Sequence, residues 1–366
     1  MTTRAGIGIV GAGDISGQYL SMLTQAPDVE VRFVASRDLA RARAKADEFG
    51  VAGSGSYAEL LRDPRVDVVV NLTVPQVHAE LTAQALEAGK HVWSEKPLAL
   101  SGADGRALLD LAESRGLRLG CAPDTFLGTG LQSALQIVRS GQIGTPRSAF
   151  ASFQYGGPNL WHPSPEFFFT HGGGPLLDMG PYYLTALVQV FGSVRRVSAT
   201  AVQGASTRVI QAGPRAGQRF AVDVPTHVTA LYEFVGGGVA DVILSFDTPI
   251  MRVALEVTGT AGALRFPDPN QFAGDSEVFA PDGSSQRFAP IAPGGPGRGS
   301  GVVDLVRAVR AGVPERASGA LAFHVLEAML ATQEAARTGQ PAEVVSRVEP
   351  APLLPAGWGT ETALTG

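Results

Sequence analysis

The sequence holds a single cysteine, Cys121, among 366 residues. One thiol excludes an intramolecular disulfide framework and fits a reducing compartment. Charge is also sparse: Asp, Glu, Lys and Arg make up 17% of the chain, against roughly 25% in ordinary domains. The 29 basic and 34 acidic residues leave a net charge of −5. The basic residues form no extended cluster, which argues against a nucleic-acid partner. No run approaches the roughly 18 apolar residues of a membrane span, and residues 1–6 lack the apolar core of a signal peptide. The six histidines (His78, His91, His162, His171, His227 and His324) show no metal-ligand spacing. Neither G-x-S-x-G nor a P-loop occurs. The expectation is a soluble, cytoplasmic, globular protein with no metal, no membrane and no nucleic acid.

Glycine, by contrast, is abundant. With 45 Gly and 25 Pro, 70 of 366 residues are one or the other. That stays below the roughly 25–30% of low-complexity chains, and no Gly-X-Y period is present. The surplus belongs in turns and close backbone approaches.

The first third alternates strand and helix patterns. Ile7–Val10, Val29–Ala35, Val66–Leu72, His91–Ser94 and Leu117–Gly120 read as strands. Ile15–Gln25, Leu39–Phe49, Gln76–Ala88 and Gly102–Arg115 read as helices. Val66–Leu72 (VDVVVNL) is the continuous apolar run of a strand buried on both faces. This rhythm predicts βαβ units and a parallel sheet. After about residue 122 it changes. A helix (Leu131–Ser140), a strand (Arg147–Gln154), a polar-aromatic loop (Tyr155–Gly174) and a helix (Pro181–Phe191) are followed by strand-like runs with short turns. Val228–Phe234, Val239–Phe246 and Arg252–Thr258 predict an antiparallel sheet. A Gly/Pro loop (Ala292–Gly301) and two helices (Val302–Ala311 and Ala320–Arg337) complete the pattern. The expected architecture is an α/β Rossmann domain (1–123), an α+β C-terminal domain with a large, mainly antiparallel sheet (124–345) and a tail (346–366).

The first strand runs into Gly11-Ala12-Gly13-Asp14-Ile15-Ser16, two glycines of G-x-G-x-x-G with Ser16 in the third place. Gly11 permits the tight turn. Gly13 lets the backbone approach a pyrophosphate, and Asp14 and Ile15 open a helix whose N–H groups face the phosphates. An ordinary βα turn is the alternative, which the placement after an apolar strand disfavours. The second strand ends in Ser36-Arg37-Asp38. Ser36 stands where an NAD-binding unit places an acid, and Arg37 suits a 2′-phosphate. NADP(H) is therefore preferred, while Asp38 on the ribose would restore NAD(H). Leu72, Thr73 and Pro75 follow the third long strand, at the crevice. Glu95-Lys96-Pro97 follows the fourth, where side chains point into the ligand crevice. Lys96 can donate to a substrate oxygen and Glu95 can hold its orientation; a surface ion pair is the alternative.

With the glycine turn, Val74–His78 and Glu95–Pro97 in this order, the chain resembles the Gfo/Idh/MocA oxidoreductases, a family with glucose–fructose oxidoreductase, inositol dehydrogenase and dimeric dihydrodiol dehydrogenase among its members. The resemblance continues in Gly172–Tyr182 (GGGPLLDMGPY), which is similar to the family's G-G-G-x-L-x-D-x-G-x-H signature. It implies that Lys96 is the catalytic lysine, that Asp178 is a second active-site group, and that the segment of His78 faces the nicotinamide ribose. His78 alternatively reads as a buried helix histidine. Tyr182 stands where many members have histidine, on the helix face of Asp178. That resembles the glucose–fructose oxidoreductase and dihydrodiol dehydrogenase branch and implies Tyr182 as proton donor or acceptor; packing alone is the other reading. Asp124 reads as a substrate contact or a turn cap. Trp161, His162, His171 and Tyr183 are substrate candidates, since aromatic faces and imidazoles suit carbohydrate. Arg298 reads as an anion contact or as surface.

The expected function is NAD(P)-dependent hydride transfer to or from a secondary alcohol or ketone of a sugar, cyclitol or derivative. The alternatives are a hydride-shuttling oxidoreductase or epimerase with tightly bound cofactor, and a silent NAD(P) sensor. By the same resemblance a homodimer or homotetramer is expected.

Overall fold

The computed structural model describes residues 4–290, 297–355 and 357–358. Contacts divide the chain into two units, and no single cut in the sequence reproduces them. The first comprises Met1–Gly128, Gly294–Phe323 and Ala351–Gly366; the second comprises Thr129–Pro293 and His324–Pro350.

The first unit opens with β1 (Ala5–Val10), α1 (Asp14–Leu23), β2 (Val29–Ala35), α2 (Leu39–Glu48), β3 (Gly53–Gly55), α3 (Tyr57–Arg62), β4 (Val68–Asn71), α4 (His78–Glu87), β5 (His91–Ser94), α5 (Gly102–Ser114) and β6 (Leu119–Cys121). The six strands are parallel in the order β3-β2-β1-β4-β5-β6. That is the doubly wound order, whose ligand crevice lies at the carboxyl ends of the strands. All four residues of β4 are buried, as expected of a strand covered by helices on both faces. Local caps fix the helix starts. Asp38 accepts from the Ala40 and Arg41 N–H groups at the start of α2, and Ser56 and Glu59 form a capping box on α3.

The second unit contributes α6 (Thr129–Arg139), β7 (Pro146–Gln154), α7 (Gly174–Phe191), β8 (Val194–Val202), β9 (Thr207–Val209), β10 (Arg219–Ala221), β11 (His227–Phe234), β12 (Val239–Ser245), β13 (Arg252–Gly259), β14 (Ala263–Arg265), β15 (Ser276–Phe279) and β16 (Ser285–Phe288). After these come α8 (Ser300–Ala311), α9 (Gly319–Thr338) and β17 (Ala342–Glu343). The large sheet has nine strands in the order β16-β15-β14-β13-β7-β12-β11-β8-β17, and β9 and β10 form a separate hairpin. The expected mainly antiparallel sheet is present, with one parallel pair, β7 and β12, near its middle. That pair exists because α7 follows β7, and the chain returns beside β7 only after two antiparallel strands, β8 and β11.

Helix α8 belongs to the first unit, and the run 292–301 expected as a Gly/Pro loop lies outside the described residues over 292–296. From Gly299 onward that run enters α8. In the second unit His324, on α9, is buried and has a partner on each ring nitrogen. Its Nε2 accepts from the Val194 N–H at 2.9 Å and its Nδ1 lies 2.8 Å from the Ser346 hydroxyl. Burial holds its pKa down at about 4. An imidazole that stays neutral when folded binds fewer protons than the unfolded chain between about pH 4 and its ordinary 6.5. Its stabilisation is complete above that window and is lost as pH falls through it. Thermal melts should therefore show a smaller loss of Tm in His324→Gln than in the parent between about pH 7 and 5. Equal losses would remove His324 as the source.

Candidate active site

The β1–α1 turn has the form a dinucleotide phosphate needs. Gly11 has φ 106°, and a Cβ there would lie 2.6 Å from the Leu72 carbonyl oxygen. Gly13 is the N-cap of α1, with no side-chain cap bond, and a Cβ on it would meet nothing within 4 Å. An uncapped helix start facing open space is where phosphate oxygens fit. Asp14 opens α1 and Ile15 is half-buried beside it. Ser16 is fully buried, and its hydroxyl donates to the Gly13 carbonyl at 2.6 Å, so the third motif position tightens the turn. The residues present thus fit the coenzyme that this fold implies.

At the end of β2, Ser36 is half-buried and Arg37 is exposed. The Ser36 hydroxyl accepts from the Asp38 N–H at 3.2 Å. Asp38 spends Oδ1 on the α2 cap, so the acid nearest the ribose position already has a structural task.

After β4, Leu72 is buried and its N–H donates to the Val10 carbonyl, while Thr73 and Pro75 are half-buried. Asn71, which the sequence reading passed over, organises this stretch. Its Oδ1 accepts from the Thr73 hydroxyl at 2.6 Å, and its Nδ2 donates to the His78 carbonyl at 3.1 Å. Its only sequence signal is a polar residue closing an apolar strand. His78 is 1% exposed. Its Nδ1 lies 2.8 Å from the Pro97 carbonyl oxygen and its Nε2 lies 2.9 Å from that of Thr73. The ring therefore braces two crevice loops, and burial pushes its pKa down. Its burial agrees with the buried helix histidine, and the Thr73 carbonyl it meets belongs to the segment expected at the nicotinamide ribose.

Glu95 is 7% exposed, and Lys96 beside it is half-buried. Glu95 Oε1 accepts from the Tyr19 hydroxyl at 2.8 Å, and Oε2 accepts from the Lys96 N–H at 3.0 Å. The Glu95 side chain therefore holds the backbone at Lys96. Asp124 is wholly buried, and its Oδ2 accepts from Gly299 N–H at 2.8 Å and Gly301 N–H at 3.1 Å. Asp124 thus caps α8, and its side chain makes no cap bond to the turn that follows it. Burial raises its carboxyl to about 6, against the pull of the Arg298 guanidinium and of the two N–H groups. Arg298 thus acts on buried groups. The Cys121 thiol lies 3.6 Å from the Glu95 carbonyl oxygen, and burial pushes its pKa up.

In the second unit α7 starts at Gly174-Pro175, with proline in the first turn where its missing N–H costs nothing. Asp178 and Tyr182 are separated by one turn on this helix; Asp178 is half-buried and Tyr182 is buried. Tyr183 is fully buried, and its hydroxyl lies 3.4 Å from Asp268 Oδ1. It is a packed residue whose hydroxyl has its own partner. Tyr155, at the end of β7, was missed. Burial and then the charge of Asp178 push its phenol upward. It packs edge-on against Phe153 (5.3 Å) and Phe246 (5.4 Å). Trp161 is 57% exposed and forms an aromatic cluster with His162 and Phe168. His162 Nδ1 accepts from the Ser164 N–H, and His171 is exposed. No group of metal-ligating side chains occurs among the described residues, and no helix among them is long and apolar enough to cross a membrane.

Two family models match this chain. "Oxidoreductase family, NAD-binding Rossmann fold" matches residues 5–122, and "GFO/IDH/MocA C-terminal domain" matches residues 131–265. The chain belongs to the GFO/IDH/MocA oxidoreductase family. It is 32% identical to the trans-1,2-dihydrobenzene-1,2-diol dehydrogenase of Bos taurus over 265 residues, covering 72% of this chain and 74% of that one. It is 35% identical to the dTDP-3,4-didehydro-2,6-dideoxy-alpha-D-glucose 3-reductase of Streptomyces violaceoruber over 230 residues, covering 62% and 66%. The solved structure of a levoglucosan dehydrogenase in complex with NADH and L-sorbose has the same fold. It matches with TM-score 0.82 at 22% identity over 94% of this chain and 99% of that one.

Asp124→Ala leaves two N–H groups at the start of α8 uncapped. It should lower stability by about 1 kcal/mol, read as a reduced denaturant midpoint, with Asp124→Asn losing less. An unchanged midpoint would show that other groups satisfy the helix start.

Proposed function

We propose that the protein catalyses reversible hydride transfer between NADP(H) and a secondary alcohol or ketone on a small carbohydrate-like molecule. The uncapped α1 start behind Gly13 is the observation that carries this reading. The relatives' names favour the substrate class, since they describe a dihydrodiol dehydrogenase and a reductase of a nucleotide-linked keto sugar.

Bound nicotinamide coenzyme supplies or takes the hydride. Every other step falls to the chain's own residues. In the first unit, Gly11, Gly13, Asp14 and Ile15 seat the pyrophosphate. Ser36 and Arg37 receive the 2′-phosphate, because the nearest carboxylate, Asp38, is spent on α2 and a guanidinium pairs with phosphate in bidentate geometry. Leu72, Thr73 and Pro75 line the crevice. Lys96 donates to the substrate oxygen and moves its proton as the carbinol is oxidised or the ketone reduced. In the second unit, Asp178 and Tyr182, one helical turn apart, supply the substrate-facing polar groups, with Trp161, His162 and His171 on the loop before them. Trp161 suits the C–H face of a sugar ring because it is exposed and fixed by neighbouring rings.

The working form is a homo-oligomer. Phe150, Leu231 and Val239 are exposed on the large sheet, and the register aligns Leu231, Asp241 and Phe150 across β11, β12 and β7. Covering such a face is favourable by roughly 25 cal/mol per Å² of apolar area.

A panel of trans-dihydrodiols, levoglucosan and cyclic polyols should give coenzyme-dependent absorbance changes. Lys96→Ala should retain coenzyme binding and lose about a hundredfold or more in turnover. Unchanged turnover would remove Lys96 from the chemistry. Ser36→Asp should move the preference toward NAD(H), because a carboxylate repels the 2′-phosphate; an unchanged NADP/NAD ratio would defeat the 2′-phosphate assignment.

A further inference from the structure

Three buried polar side chains in the first unit form one directional chain of hydrogen bonds. The indole N–H of Trp93 donates to the Tyr19 hydroxyl oxygen at 3.1 Å. The Tyr19 hydroxyl donates to Glu95 Oε1 at 2.8 Å. Glu95 Oε2 accepts from the Lys96 N–H at 3.0 Å. Direction follows from chemistry, since an indole nitrogen only donates and an ionised carboxylate only accepts. Trp93 occupies the tyrosine oxygen from one side, so the phenolic proton is left for Glu95.

The chain has few ways to relax. Tyr19 and Trp93 are fully buried. Trp93 is wedged against the start of α8, where a Cβ on Gly301 would lie 1.9 Å from its ring. Asp124 holds that start through the Gly299 and Gly301 N–H groups. On the other side of the turn, His78 meets the Pro97 carbonyl. Glu95 is thus the only member that touches both α1 and the Lys96 backbone within this chain.

From this geometry we propose that Tyr19 is a positioning residue for Lys96. It ties the helix that seats the coenzyme phosphates to the turn that carries the reactive amine, through Glu95. The inference rests on the proposed role of Lys96 and deepens it, because seating the pyrophosphate on α1 also fixes the height of the Lys96 turn. Tyr19 touches neither coenzyme nor substrate in this account and is not a catalytic residue. A misplacement of about 1 Å of such a group costs on the order of a hundredfold in rate, so a modest loosening should be readable.

The test is a double-mutant cycle on the full chain with Tyr19→Phe and Glu95→Ala; Glu95→Gln replaces the alanine variant if that one does not fold. Two readouts are taken beside the NADP(H) dissociation constant. The first needs no substrate: the rate at which pyridoxal 5′-phosphate followed by borohydride labels Lys96, mapped by mass spectrometry. The sequence has three lysines, and Lys45 serves as internal reference. The second is kcat with trans-1,2-dihydrobenzene-1,2-diol or levoglucosan.

Tyr19→Phe should change the Lys96 labelling rate by about threefold or more relative to Lys45 and lower kcat by about tenfold, with coenzyme affinity within about twofold. In the Glu95 background the same substitution should add nothing, because its route to Lys96 is already cut. A merely structural tyrosine would weaken coenzyme binding and act equally in both backgrounds. Three results would overturn the proposal: unchanged Lys96 labelling, an effect confined to coenzyme affinity, or losses that multiply across the cycle. Full turnover in Lys96→Ala would instead sink the proton role of Lys96, and the labelling cycle would still decide whether Tyr19 acts on that turn.

Discussion

A carboxylate withdrawn from water persists only where donors replace the water it has lost, and Glu95 meets that demand with the Tyr19 hydroxyl and the Lys96 N–H. Much of the first unit is arranged around the requirement. β5 delivers Trp93 and Glu95 to the crevice end of the sheet, and α1 carries Tyr19 to meet them. The neighbouring turn is held by His78 against the Pro97 and Thr73 carbonyls. A partly satisfied network of this kind would cost more than an apolar core, so its members stand or fall together. The same bonds that satisfy the carboxylate leave Lys96 on a rigid backbone.

The second unit uses a different device for the same end. Its polar-aromatic loop is fastened by Arg208, whose Nη1 donates to the Gly156 carbonyl at 2.8 Å and to Asn159 Oδ1 at 3.1 Å. The guanidinium also pairs with Asp247 and lies 5.0 Å above the Phe169 ring. Arg208 sits on β9, so the small hairpin is what anchors the loop that presents Trp161 and His162. One fixed cation replaces the network of the first unit.

Much of this was legible in the sequence because it is written in periodicities. Continuous apolar runs separated by helical patterns specify a doubly wound sheet, and Asp178 and Tyr182 share a face because helices repeat every 3.6 residues. Gly11 was legible because its positive φ and the nearby Leu72 carbonyl tolerate little else. What stayed hidden depends on partners distant in sequence. Tyr19 reads as one more apolar-face aromatic on α1, and its hydroxyl finds Glu95 only after the sheet is built. Asp124 reads as a residue at a turn, because the N–H groups it accepts lie 175 and 177 positions later. The parallel pairing of β7 and β12 is likewise invisible locally, since strand patterns carry no direction.

The composition of the first unit has a consequence for the order in which the protein is made. Its outermost strand, β6, is joined to residues near 317 through the Cys121 N–H and the Ala317 carbonyl, and Gly120 bridges Ser318. Arg316 donates to the Pro352 and Leu353 carbonyls, and Arg307 lies over the Trp358 ring. A ribosome that has released β6 has therefore not yet released the chain that covers it. The nucleotide-binding half, first in the sequence, is among the last parts that can finish folding. Until α8 emerges, Trp93 lacks the part of its enclosure that Gly301 provides, and the edge of the sheet at β6 waits on residues near 317.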